Sequence, residues 1–258
     1  MKLLSPEAYA KSIVASVQEY SLLCGRTIAC LFSKPRYIAD TYTQMDSIGV
    51  GSLPIVVLTG FFTGCVLALQ AAVSLKEFGA VNMTGRLVSL SMIKELGPVL
   101  TGLMVSGRNA SGMASELGSM KVTEQIDAIE ASAVDPHKLL AATRIAACFA
   151  VLPLLTLAAS FSGVFMGWLT DTLIEPISLT HFINAGFRGA SFRDFLPPTF
   201  KTCAFGLIIG TVSSFVGMTA KGGAEGVGNA ATRSVVLSSL FVILADVILV
   251  KLILLIFP

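Results

Sequence analysis

Residues 50–75 read VGSLPIVVLTGFFTGCVLALQAAVSL, a run without one charged side chain. A helix that crosses a bilayer needs about 20 such residues, so this run alone implies a membrane span. Working outward, Leu87–Ser106 is the second span, interrupted by Lys94 and Glu95, and Ile145–Thr170 is the third. Thr202–Ala220 is the fourth, and Ser234–Phe257, interrupted by Asp246 and Lys251, is the fifth. The runs are continuous rather than alternating, which predicts helices and not a barrel.

Composition agrees. Of 258 residues, 54% are hydrophobic and 13% charged, with mean hydropathy +0.79, against roughly 25% charged in soluble domains. A net charge of +2 without a dense basic run excludes a nucleic-acid partner. Cys24, Cys30, Cys65, Cys148 and Cys203 show no CxxC spacing and read as small buried hydrophobes rather than a disulfide framework or a zinc site. Met1–Tyr20 lacks the uninterrupted apolar core of a cleavable signal.

Residues 1–48 are less apolar. Ser5-Pro6-Glu7 reads as a cap followed by proline in the first helical turn, and Ile13, Val17 and Tyr20 recur at helical spacing. An N-terminal helix lying on the membrane face is expected, with a sixth, poor span as the alternative. Basic residues set the orientation. With the N-terminus inside, the inner segments hold Lys2, Lys11, Arg26, Lys34, Arg36, Arg108, Lys121, Lys138, Arg144, Lys221 and Arg233, eleven of the 18. Five spans then put the C-terminus outside, with 171–200 as an outer connection.

The 107–138 segment, GRNASGMASELGSMKVTEQIDAIEASAVDPHK, becomes an inner loop. It is longer than the 2–8 residues a plain helix connection needs. Val122, Ile126, Ile129 and Ala133 form an apolar stripe, with Glu124, Asp127 and Glu130 off it. Asp135 is placed to cap the next helix, with Pro136 at its first position. The expectation is a short amphipathic helix offered to a partner; a solvated connecting helix is the plainer reading.

Two further features bear on chemistry. Lys94, Glu95 and Asp246 sit inside spans, where an ionisable group costs about 2.5–3.5 kcal/mol and marks a functional candidate. Pro98 removes the donor that would meet the carbonyl of Lys94, so a kink is expected at the pair. Lys94 and Asp246 each lie 13 residues from the inner ends at Gly107 and Arg233, about 20 Å deep. The second and fifth spans should meet there, with Lys94–Asp246 or Glu95–Lys251 pairs. The GxxxG pairs Gly60/Gly64, Gly163/Gly167 and Gly206/Gly210 permit close helix approach. There is no G-x-x-x-x-G-K-[ST] phosphate loop, so any ATP is used by another chain. Gly226-Val227-Gly228-Asn229-Ala230-Ala231 resembles a dinucleotide fingerprint only superficially and is read as a turn between spans. No catalytic constellation is evident.

Long motifs then carry a resemblance. Lys94-Glu95-Leu96-Gly97-Pro98-Val99-Leu100, the run from Ala114 to Glu130, Val134-Asp135-Pro136, Gly222 to Gly228 and Ala230 to Val236 are similar to the MlaE-type permease family, over roughly residues 50–257. The Gly107-Arg108-Asn109-Ala110-Ser111-Gly112 run departs from the family's usual Gly-Arg-Val/Ala-Gly-Ser type. The resemblance implies an all-α membrane protein: one permease domain over 1–258, about five transmembrane helices, an N-terminal interfacial helix and a cytoplasmic coupling helix. It implies the permease subunit of an ATP-driven ABC transporter moving phospholipid between bacterial inner and outer membranes, seated in the inner membrane. It further implies a homodimer with the lipid cavity between protomers and a separate MlaF-like ATPase that binds ATP and Mg. An MlaD-like MCE-domain protein would sit on the outer side, and in many systems a small MlaB-like STAS protein on the ATPase. No cofactor is expected in this chain. Lys94, Glu95, Leu96, Pro98 and Asp246 would handle lipid. Glu116, Lys121, Glu124, Ile126, Asp127 and Glu130 would couple to the ATPase, with Glu225 and Arg233 in a second cytoplasmic loop. The alternative is an ion-coupled secondary transporter relaying protons through Lys94, Glu95 and Asp246, for which the expected inverted repeats are missing.

Overall fold

The computed structural model describes residues 6–32, 37–174, 178–187 and 192–256. Ser5, read as the first helix cap, and Phe257, read as the end of the fifth span, lie outside them. The described residues form helices and no strand: α1 (Pro6–Phe32), α2 (Ile38–Glu77), α3 (Thr84–Val122), α4 (Gln125–Ala131), α5 (His137–Ile174), α6 (Leu179–Phe187), α7 (Phe192–Met218) and α8 (Gly223–Ile256). Five of them, α2, α3, α5, α7 and α8, are long and apolar enough to cross a membrane. They run antiparallel in chain order. One end of the bundle carries α4, the other α6.

Each expected span is present, and each is longer than its apolar run. α2 begins at Ile38, so the last part of the 1–48 region is the foot of the first span. α3 runs on to Val122, making residues 107–122 helix rather than loop. α8 begins at Gly223, so the glycine-rich run read as a flexible turn is already helical; only Thr219–Gly222 turns, with Gly222 and Gly223 at positive φ. α7 begins at Phe192 and includes Lys201, which the fourth apolar run had excluded. Hydropathy marks only the part in hydrocarbon, whereas the backbone ladder continues into the polar zone wherever tertiary packing supports it.

α5 is the central helix, packed against α2 on one side and α7 on the other. These contacts are made by small residues. On α2 the buried positions Ile48, Ser52, Val56, Gly60, Gly64 and Ala68 recur every fourth residue. A Cβ on Gly64 would strike the Gly163 carbonyl, and one on Gly206 would come within 2.5 Å of the Cys148 carbonyl. The paired glycines therefore serve packing within the chain, backbone against backbone. Gly64→Ala is expected to lose about 3 kcal/mol, the upper end of overpacking costs because a carbonyl cannot rotate away; thermal unfolding of the purified protein checks it.

α8 buries a single narrow stripe, Ala230, Ser234, Ser238 and Val242, and Ser106 of α3 bonds Ser239 at 2.9 Å. α1 is not among the spanning helices. It lies at the α4 end, where Tyr20 bonds Thr211 at 2.8 Å and meets the Phe215 ring edge-on. Val17, on the same sequence stripe, is 60% exposed.

Candidate functional site

The charged pair of α3 sits where the helix changes its winding. Residues Met92–Leu96 form a π-turn, flanked by α-helix on both sides. Pro98 has no N–H to give, and a widened turn is how a helix absorbs the mismatch. The Gly97 N–H bonds the Met92 carbonyl, and Ser160 Oγ of α5 donates to the same oxygen at 3.5 Å. The expected kink is thus realised as a local π-turn carrying Lys94 and Glu95. Leu96, partly buried, packs against the apolar cluster around Met92 and Phe182, and Pro98 is buried.

The ion pairs differ from those expected. Lys94 Nζ meets Asp194 of α7 at 2.6 Å. Glu95 Oε2 and Asp246 Oδ1 both meet Lys201 Nζ, at 2.8 and 2.9 Å. The Lys201–Glu95 contact is a hydrogen bond; the contact to Asp246 is electrostatic, off the line of one. Neither Lys94–Asp246 nor Glu95–Lys251 forms; Lys251 is exposed and in no ion pair among the described residues. The second and fifth spans do meet at this depth, but through a third partner. Lys201 comes from α7 between them and is shorter in reach to both carboxylates than either expected pair.

Lys201 is the residue sequence reading missed. Its side chain is 1% exposed, while Glu95 is 46% exposed and Asp246 15%. One buried ammonium between two carboxylates leaves one negative charge in excess. Glu95 is the most exposed member of the group, the twelfth of the 39 residues of α3, inside a helix long enough to span a bilayer. A charge so placed is costly against hydrocarbon, so this face opens on something polar.

At the α4 end the apolar stripe is used inside the chain. Thr123 and left-handed Glu124 (φ 60°) break the helix between α3 and α4. Val122 therefore belongs to α3, and Ala133, also at φ 60°, lies past the end of α4. Ile126 is buried with Leu117 and Leu140, and Ile129 packs beside them. Ile126 and Ile129 thus pack within the chain, Ile129 only partly buried, beside an acidic outer face of Glu124, Asp127 and Glu130, all three exposed. Lys121 holds Asp127 at 2.7 Å. Glu116 pairs at 2.8 Å with Arg144, whose side chain is 3% exposed. Arg144 also donates to the Leu140 carbonyl, so Glu116 anchors the start of α5. Asn109, where the motif departs, is a tie between spans: its Nδ2 donates to Ser52 Oγ at 2.7 Å, alongside Arg108 Nη1 at 3.0 Å. Glu225 and Arg233 are exposed on the first turns of α8, on helix rather than loop.

Asp135 caps α5 as expected, its Oδ1 accepting the His137 N–H at 2.9 Å. Its other oxygen lies 3.8 Å from the Cys30 thiol, which burial first and then this carboxylate push up from its ordinary value. Asp135→Ala should cost about 1 kcal/mol through the lost cap, read as a lower melting temperature.

Comparison with known proteins fits this architecture. The family model for Permease MlaE matches residues 41–252. A probable ABC transporter permease protein of Rickettsia typhi is 35% identical over 237 residues, 92% of each chain. A probable ABC transporter permease protein of Synechocystis is 36% identical, over 80% of this chain and 79% of its own. The chloroplastic protein TRIGALACTOSYLDIACYLGLYCEROL 1 of Arabidopsis thaliana is 30% identical over 88% of this chain and 65% of its own length. With five spanning helices and relatives of this kind, the chain belongs to the MlaE permease family, as the multi-pass membrane subunit of an ABC transporter that works with an ATPase.

Proposed function

We propose that this permease moves phospholipid between the inner and outer membranes of a bacterium, using ATP and Mg bound by a separate ATPase subunit. The observation that carries the reading is the Glu95–Lys201–Asp246 cluster: an ionic group within the spanning helices with one half-exposed carboxylate. An amphiphile needs a path that is polar for its head and apolar for its tails, and the cluster supplies the polar part within apolar helices. The Arabidopsis relative's name contains that of a galactolipid, which supports a lipid cargo.

Two copies of the chain enclose the path in this reading. α8 is the least covered span, with 6% of its most apolar window buried against 67% for α7. It carries Asp246, so a second copy packed near α8 closes a cavity over the cluster and shields Glu95 from hydrocarbon. The α4 end faces the cytoplasm, as the basic residues favour, and the ATPase docks on it. Glu116, Lys121, Ile126 and Asp127 hold this end in shape, while Glu124 and Glu130 meet the ATPase; an MCE-domain protein receives lipid at the α6 end.

The test is reconstitution of the complex in donor liposomes, with labelled phospholipid and acceptor vesicles or the purified MCE-domain partner. ATP-dependent transfer of phospholipid is expected, and equal transfer with ATP omitted would sink the proposal.

A further inference from the structure

A cavity of about 470 Å³ is walled by α3, α5, α6 and α7, with no lining residue from α8. Its surface is mostly apolar and offers little to hydrogen-bond. Trp168, Phe165, Phe182, Phe187 and Phe195 supply most of it. Besides the Trp168 indole, the polar side chains are Ser160, which donates to the Met92 carbonyl at 3.5 Å, and Thr199, which donates to the Phe195 carbonyl at 2.9 Å. A water there would lack the two to four partners it needs, so the natural occupant is apolar.

Shape and position narrow the occupant further. Along α5 the lining runs from Leu157 to Trp168, about 16 Å of helix. That is about half the ~30 Å hydrocarbon core, or one leaflet. The lips are exposed, Phe161 at 76% and Leu157 at 53%, so the cavity opens sideways from a spanning helix rather than towards an end of the bundle. The solvent at such a lip is lipid. The walls are also fixed in place. The Phe165–Trp168 and Phe187–Phe195 rings pack at 5.7 and 5.5 Å, and the Lys94–Asp194 pair joins the wall residues Ile93 and Phe195 through their chain neighbours.

We infer that this cavity is a lateral lipid site, holding one acyl chain of a phospholipid from the leaflet on the α6 side. It is separate from the ionic cluster and requires only that the chain span a membrane, so it stands whatever the transporter's cargo. The bound chain fills the space between α6 and α5 that the protein's own side chains leave open.

Trp168 is the chain's one tryptophan, and so reports on this cavity alone. The protein is reconstituted in vesicles containing increasing fractions of a phospholipid brominated at mid-chain. Occupancy predicts a quenching component that saturates at low mole fraction, above the linear quenching by bulk lipid. Val164→Phe on α5 and Ile183→Phe on α6 fill the space from opposite walls and should weaken that component about tenfold. Native mass spectrometry should show correspondingly less phospholipid retained by each variant. Quenching linear up to pure brominated lipid in the wild type overturns the site, whether or not the variants fold. So does equal saturable quenching in all three proteins.

Discussion

Lys201→Met is expected to abolish lipid transfer and to destabilise the protein by about 3 kcal/mol. The change removes the one ammonium that Glu95 and Asp246 share. Breaking a buried pair by deleting one partner costs about 3–5 kcal/mol, because the other charge is left uncompensated. Here the lower figure applies: Glu95 is half-exposed and can recover some hydration, whereas Asp246 is largely enclosed. Removing all three charges separates structure from function. In Lys201→Met/Glu95→Gln/Asp246→Asn no uncompensated charge remains, and replacing a whole buried ionic group by neutral side chains is often close to neutral in stability. The triple variant should therefore melt near the wild type yet still fail to move lipid. Wild-type transfer by the triple variant would reduce the cluster to a structural device. Lys201→Arg is the finer probe, keeping the charge but replacing a compact ammonium with a planar fork. Partial activity would show that charge matters more than its exact placement.

How far this site was legible in the sequence turns on helix register. Asp246 was found because it interrupts an apolar run, and its inward direction could also have been read: it continues the stripe Ala230, Ser234, Ser238, Val242 by one more step of four. Lys201 stands in the same relation to Phe205 and Ile209, both fully buried. It was lost because hydropathy placed the start of the span one residue after it, at Thr202. Pro197 and Pro198 lie inside α7, five and six residues past its start at Phe192, where each lacks the N–H for a ladder bond, yet the helix runs through them to Lys201. The five spans were visible from hydropathy alone because continuous apolar length is a local property. Which carboxylate meets which ammonium is not local. It depends on how α3, α7 and α8 rotate about one another, and that was set by serine and glycine contacts and by the π-turn at Met92–Leu96.

The same distinction decides what α4 does. Its apolar spacing was legible, but the spacing could not say whether the stripe meets a partner or the chain's own core. The break at Thr123–Glu124 turns Ile126 and Ile129 inward, and recognition is left to charge. Reversal of the two outward acids without an intrachain ion pair, Glu124→Lys/Glu130→Lys, should therefore weaken capture of the ATPase about 10–100-fold, about 1.4–2.8 kcal/mol. Stability should stay within about 0.5 kcal/mol, because both side chains are exposed and Glu124, at the N-cap of α4, makes no side-chain capping bond. The loss should grow at low ionic strength, where repulsion from a basic rim is least screened. Glu116→Lys is the contrasting case. It sets a lysine against buried Arg144, so ATPase capture and thermal stability should fall together. The measurement is ATPase copurification across a salt series, alongside a thermal melt of each variant. Undiminished capture by Glu124→Lys/Glu130→Lys would move the docking surface off α4, and the groove of about 930 Å³ between α1 and α4, which Arg26 and Lys121 help to line, would be next to probe.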